Sequence, residues 1–430
     1  MIIFDIIKYL YNISTILLLF VIIYKIQKEK YLIITSLVFW CTFFYFCYIA
    51  FSCIFIEEIN KNWNFSLKTI NITRIIILFY NLFFSLFTYY CCYADKTVCM
   101  PIILKERYAI VYNIAKVICF FGTFVIIIAI LQLIKVRKIT TGFQAYFKIR
   151  ESAGILAAKY HIRLFLYLLI SSSFYLFCKN RKLMYFLPLL LIVLFETLAG
   201  QRTTAFVVLI YLYIIFVCTK KTLALKFIIP LLGLLLVGIL FARAEALAVK
   251  INVLMIFGEF FETFTTIPYL IEYDLFGVGF NFERVISDYS FVSFIPGFLK
   301  VSLVSYPSTG AEMAKIIGRG YGLGSNFIFE QFFEFGYLGF FSCLFIPLLL
   351  FSFEKRLKGW GNLIIKIIFI FQMRLYIREG ISQFMILFYI FLMYCGFFYF
   401  MKKDILVRQL NVKSNINRYK IKRLKFFKGF

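Results

Sequence analysis

The chain predicts an all-α, polytopic integral membrane protein of about 11–12 transmembrane helices, with one large external region before the last three spans. Three observations carry this. Of 430 residues, 63% are hydrophobic and 21% aromatic, with a mean hydropathy of +0.90, more apolar surface than a soluble core needs. Several apolar runs exceed the ~20 residues that cross a bilayer. Lys and Arg collect in the short stretches between those runs, as in cytoplasmic loops.

Apolar runs place spans at about 3–24, 31–56, 72–93, 109–134, 162–178, 183–198, 203–218, 224–241, 327–351, 362–377 and 381–400. Residues 1–241 therefore read as an eight-helix N-terminal bundle, and 327–400 as a three-helix C-terminal segment. Between them, 242–326 is rich in Gly, Pro, Ser and acids, and reads as a large external, periplasmic-side region. Only 251–271 within it is apolar enough to be a twelfth span. That piece carries Glu259 and Glu262 on one helical face, which favours an interfacial or re-entrant helix.

Orientation follows from the cations. Lys25, Lys28 and Lys30 mark one loop; Lys96, Lys105 and Arg107 the next on that side; then come Lys179–Lys182, Lys220–Lys226 and Lys355–Lys358. The tail 401–430 adds ten Lys or Arg against one acid, Asp404. If the spans alternate, all six groups share one face, which is cytoplasmic, and the tail lies on anionic lipid. Region 242–326, the turn around Arg202 and the turn after Arg378 then fall outside. Segment 135–163 conflicts with this, because its seven cations are also placed outside; either a span is miscounted or they bind an external anion.

Composition also excludes function classes. The net charge of +26 does not indicate a nucleic-acid partner, because no folded basic domain carries it. Ten of eleven cysteines lie in apolar runs and none forms a CxxC pair, so they read as small buried hydrophobes. One histidine, His161, makes a His-rich metal site impossible, and no metal or cofactor is expected. No cleavable signal is visible, so the first apolar stretch is expected to remain as an anchor. No internal repeat appears, which counts against a transporter built from paired halves.

Three sets of residues point to chemistry. Glu330 and Glu334 sit four apart at the mouth of the span beginning at 327. Acids near a bilayer are costly, roughly 2.5–3.5 kcal/mol for an Asp at a helix centre, so they mark working sites. A carboxylate there can serve as a general base, or simply pair with an arginine. Arg202 occupies a tight turn between two apolar helices, next to Gly200, Thr203 and Thr204. Its planar fork suits a diphosphate, while snorkelling to headgroups is an equal reading. Arg374 and Arg378 share a helix face and fit either a lipid diphosphate or interfacial anchoring. Glu259, Glu262, Asp288 and Glu312 are weaker acidic candidates on the same side. Tyr321, Phe329, Phe332 and Phe333 are candidates for stacking on sugar rings, a weak signal among 58 Phe and 30 Tyr.

The turn Gly200-Gln201-Arg202 resembles the Ser-Gly-x-Arg turn of O-antigen and capsular repeat-unit polymerases of the Wzy type. The stretch GYGLGSNFIFEQFFEFGYLG from Gly320 resembles their Gly-rich loop, Glu and Asn-Phe-Gly signature entering a late span. Gly322, Gly324, Ser325, Glu330 and Phe335-Gly336 match in kind. Ala199 replaces a small polar residue, Glu334 stands where Asn is common, and no paired Arg-x10-Gly motif is present. The specific likeness covers about 196–204 and 318–340.

That resemblance implies an enzyme, a metal-independent glycosyltransferase without cofactor in the bacterial inner membrane. It would join undecaprenyl-diphosphate-linked oligosaccharides into O-antigen, the polysaccharide of lipopolysaccharide, or capsule. Arg202 with Arg374 or Arg378 would hold the diphosphate, Glu330 would be the base, and Gly200, Gly322, Gly324, Ser325 and Glu334 would support them. Membrane lipids and a chain-length regulator protein are the further expected partners. The alternatives are a flippase for such glycolipids and an O-antigen ligase, the latter disfavoured because no histidine lies in the large external region.

Overall fold

Runs of Ile, Leu, Phe and Tyr without Pro leave no break in the backbone, and in lipid helices satisfy every N–H and C=O internally. The computed structural model of the chain describes residues 2–29, 36–94, 109–139, 162–180, 182–198, 208, 258–289, 309–316, 318, 325–356, 369–370, 373–378 and 380. Among these the chain is mostly helical, with no strand. Four helices are long and apolar enough to cross a membrane (Ile3–Lys28, Leu37–Ile54, Leu67–Cys91 and Tyr112–Val136), or five if one bent pair counts as a span. The expected spans 203–218 and 224–241 fall, apart from residue 208, outside the described residues; 381–400 does so entirely and 362–377 in large part.

The N-terminal body is an up-down-up arrangement. α1 (Ile2–Glu29) leads to α2 (Leu37–Tyr45), which starts on the Ser36 cap, passes through a π-helical stretch (Phe46–Ala50) and continues as α3 (Phe51–Ile54). A short helix, α4 (Ile56–Trp63), ends at Asn64 in the left-handed region (φ 54°), a conformation Asn tolerates. α5 (Leu67–Ala94) then returns parallel to α1.

Buried polar groups fix the register of these three. The Tyr45 hydroxyl donates to Asn81 Oδ1 (2.8 Å), and Asn81 Nδ2 reaches Ser14 Oγ (3.1 Å) and Thr15 Oγ1 (3.0 Å). Thr42 and Thr88 hydroxyls meet at 2.6 Å, and the Tyr11 hydroxyl donates to the Ala50 carbonyl inside the π-helical stretch. Such bonds specify which helix faces meet where apolar packing alone would not.

One end of this body carries Lys25 and Lys28; the opposite end carries α4 and a cluster of ion pairs. There Glu57 accepts from Lys8 (2.8 Å) and Arg74 (2.7 Å), and those two cations hold its carboxyl below the usual range. Beside it Ser66 donates through N–H (3.1 Å) and Oγ (2.9 Å) to Glu272, more than two hundred residues on. Hydrogen bonds from Thr69 and then Ser66 lower the Glu272 carboxyl likewise. Both ties are therefore complete above the ordinary carboxylate range and are lost as pH falls through the folded value.

A second group forms around α6 (Ala109–Ile139). α7 (Ile162–Asn180) packs antiparallel to it, matching Asn180 with Tyr112 (3.1 Å) and Ser173 with Cys119 (3.7 Å). Gly122 allows the close approach, since a Cβ there would lie 3.0 Å from Leu169 Cδ1. A 3₁₀ turn (Leu183–Phe186) then leads into α8 (Leu187–Leu198).

The later elements are short except the last. α9 (Gly258–Phe264) and α10 (Thr266–Glu272) are followed by α11 (Phe282–Tyr289), α12 (Thr309–Ile316), α13 (Phe327–Phe335) and α14 (Gly339–Arg356). Pro268 has no N–H for the Phe264 carbonyl and its ring crowds that oxygen, so the helix breaks at Thr265. The described part of the predicted interfacial piece is thus two buried half-helices, with Thr263, Phe264, Thr265, Thr266, Ile267 and Leu270 inaccessible. The side chains of Glu259 and Glu262 lie outside the described residues. The single span expected over 327–351 is also two helices. Gly336 (φ 58°) ends α13 and a 3₁₀ turn leads into α14, which contains Pro347; the apolar stretches Phe327–Phe341 and Cys343–Leu350 are bent by 65° to one another.

Asn81→Ala removes the acceptor of Tyr45 and the donor to Ser14 and Thr15. It is expected to cost about 1–3 kcal/mol, measured as thermal unfolding of the detergent-solubilised protein.

Candidate functional site

α13 is nine residues long, and every residue from Phe327 to Glu334 is buried. So short a helix leaves most of its terminal N–H and C=O groups without intrahelical partners. Neighbouring segments supply them. At its start, Asn326 Oδ1 accepts from Phe329 N (2.8 Å), while Asn326 Nδ2 donates to Thr263 O and Thr266 Oγ1 (both 2.8 Å) at the α9–α10 break. At its end, the carbonyls of Phe332 and Phe333 accept from Gly277 N (3.0 Å) and Gly279 N (2.9 Å). Gly277 has φ 77°, and a Cβ on Gly279 would fall on the Phe333 ring, so the turn after α10 requires both glycines.

Packing fixes the depth of the helix. The Phe327 ring meets Tyr45, Tyr80 and Tyr376 at centroid distances of 6.3, 6.1 and 5.2 Å. Tyr80 lies midway along α5, so α13 begins at mid-height of the N-terminal body rather than at its rim. Glu330 and Glu334 were expected at the mouth of a span; both are instead enclosed, with 2% and 1% of their surface exposed.

The two glutamates share a face and have different surroundings. The Glu330 carboxylate rests on Gly380, where a Cβ would overlap it. Gly380 adopts φ 92° and donates to the Tyr376 carbonyl (2.9 Å), closing the helical segment 373–378 that bears Arg374 and Arg378. Arg374 is buried and Arg378 partly exposed. Glu330 and the arginine-bearing segment are therefore adjacent, although fifty residues separate them in the chain.

Glu334 faces Arg284 instead, at 3.4 Å from Nε. That guanidinium is 2% exposed, pairs with Glu312 through Nη1, and donates to Thr309 Oγ1 (2.6 Å) through Nη2. It comes from α11, whose first turn is capped by Asn281 (Glu283 N to Oδ1, 2.9 Å).

Several expected site residues can thus be placed. Glu330, Glu334, Arg374, Arg378 and Ser325 are described, and Ser325 is buried immediately before the Asn326 cap. Gly200, Arg202, Gly322 and Gly324 lie outside the described residues, as do Tyr321 and the side chain of Asp288. Phe329, Phe332 and Phe333 are not available to stack on sugars. They are buried, with Phe329 stacked on Phe333 (5.3 Å) and Phe332 edge-on to Phe276 (5.8 Å). Sequence reasoning missed Asn326 and Arg284. Asn before an apolar run is a helix-start signal; nothing separates Arg284 from Arg243 or Arg319 in the same region. Among the described residues, no three His, Cys, Asp or Glu side chains group as a metal site.

No protein-family model matches the chain, and neither the curated proteins nor the solved structures contain a significant match to it.

Gly380→Ala is expected to displace the Glu330 carboxylate. Gly318 offers the control, since it also has positive φ (69°) but nothing lies within 4 Å of its Cβ position. Gly318→Ala should cost only the backbone strain, about 1–2 kcal/mol. Gly380→Ala should cost about 1–3 kcal/mol more in thermal unfolding; equal losses would mean that the carboxylate is not seated there.

Proposed function

We propose that the chain is a membrane glycosyltransferase that polymerises undecaprenyl-diphosphate-linked oligosaccharide repeats into O-antigen or capsule. It would act at the external face of a bacterial inner membrane. The observation that carries this reading is the enclosed Glu330 carboxylate against Gly380, next to the segment bearing Arg374 and Arg378. An acid and a segment bearing two cations, from separate parts of the chain, lie next to each other where the sequence resembles the polymerase signature. The contact of Glu272 with Ser66, at the end of α5 away from Lys25 and Lys28, supports an external site.

In this reaction a hydroxyl at the non-reducing end of a fresh lipid-linked repeat attacks the anomeric carbon of the growing chain. Glu330 takes the hydroxyl proton as the new C–O bond forms. The bond from the anomeric carbon to the diphosphate oxygen breaks, and undecaprenyl diphosphate leaves with the electron pair. The leaving group carries negative charge that Arg202 with Arg374 or Arg378 can stabilise without a metal. Lateral exit of the lipid needs an opening between apolar helices.

A flippase is the second reading, and a specific feature favours it. Helices broken at Thr265 and Gly336, with half-helix ends inside the bundle, are the form in which many transporters build substrate sites.

The two readings separate in a glycan ladder. Glu330→Gln and Arg202→Ala are each expected to leave the protein in the membrane while long chains disappear and single lipid-linked repeats remain. Loss of a general base lowers rates about 10²–10⁴-fold, and loss of a charge-stabilising donor about 10²–10³-fold. Normal chain lengths in both variants would refute the site, and substrate held on the cytoplasmic leaflet would favour the flippase.

A further inference from the structure

Arg284, on α11, is a buried cation, 2% exposed, that meets both α12 and α13. It pairs with Glu312 and donates to Thr309 on α12, and it faces Glu334 on α13. A guanidinium fits this task because its planar fork meets several oxygens at fixed angles, which a lysine ammonium does not. Glu334 sits one helical turn beyond Glu330 on the same face, so whatever fixes Glu334 also fixes the rotation of α13 about its axis.

We propose that Arg284 is a positioning residue for the polymerase reaction. It clamps α11 and α12 onto α13 through Glu334 and thereby holds Glu330 at its seat against Gly380. This rests on the polymerase reading. The clamp acts at the C-terminal half of α13, while Asn326 acts at the other end, so the two together prevent the helix from turning. Rotation of a nine-residue helix by a fraction of a turn would move the Glu330 carboxylate by an ångström or more, and a misplacement of about 1 Å costs on the order of 100-fold in rate.

The test uses the full-length protein in proteoliposomes with an undecaprenyl-diphosphate-linked repeat, each rate normalised to correctly folded protein. Arg284→Gln is expected to lower kcat about 100-fold with KM little changed, because Arg284 does not touch the substrate. Arg284→Lys should recover part of the loss by keeping the charge. In Arg284→Gln/Glu334→Gln, removal of the stranded carboxylate should make the two thermal destabilisations clearly less than additive. A raised KM with unchanged kcat would overturn the proposal by making Arg284 a substrate ligand, and so would additive effects on unfolding. The unfolding measurement needs no activity, so it reports on the clamp even if the wild-type protein forms no polymer. In that event the polymerase reading fails by itself, and the catalytic half of this inference falls with it.

Discussion

A nine-residue helix removed from water must have its end groups satisfied by something else. That constraint organises the second half of the described chain. Asn326 closes the start of α13 and joins it to the break made by Pro268. Gly277 and Gly279 close its end, and no larger residue could stand at position 279. The glycines of the turn and the proline of the broken helix are thus two sides of one arrangement. Glu330 and Glu334 are buried because the helix that carries them is buried, and each then requires its own neighbour at close range.

Hydrophobic run length made the long N-terminal helices legible, because crossing a bilayer leaves few alternatives to an uninterrupted apolar helix. Pro268 did announce a broken helix, and a reading by hydropathy averages passes over it. The i, i+4 spacing placed Glu330 and Glu334 on one face, as α13 has them. It could not show that one would meet Gly380 and the other Arg284. Such pairings depend on how separate segments come together in three dimensions, and a lone arginine among polar residues carries no mark of its destination. Arg202 was conspicuous for the opposite reason, since a charge between two apolar runs stands out in the sequence itself.

These contacts give the functional reading its physical content. A base near a diphosphate-holding arginine pair must be held still and kept from bulk water, and the enclosure of Glu330 meets both needs. Facing the interior of the protein rather than lipid is how two acids are accommodated in so apolar a segment. One belongs to a charge cluster that ties α11 and α12 to α13, while the other lies against the end of the arginine-bearing segment. In this account the first supports and the second reacts.

The central claim is that the chain forms glycosidic bonds rather than moving glycolipid. Its most direct test is a reconstitution of the purified protein in liposomes with undecaprenyl-diphosphate-linked repeats supplied on the external leaflet, with released undecaprenyl diphosphate counted against new linkages. The account predicts one diphosphate released for each linkage as chains lengthen. Transfer of the glycolipid between leaflets with no linkage formed and no diphosphate released would contradict it.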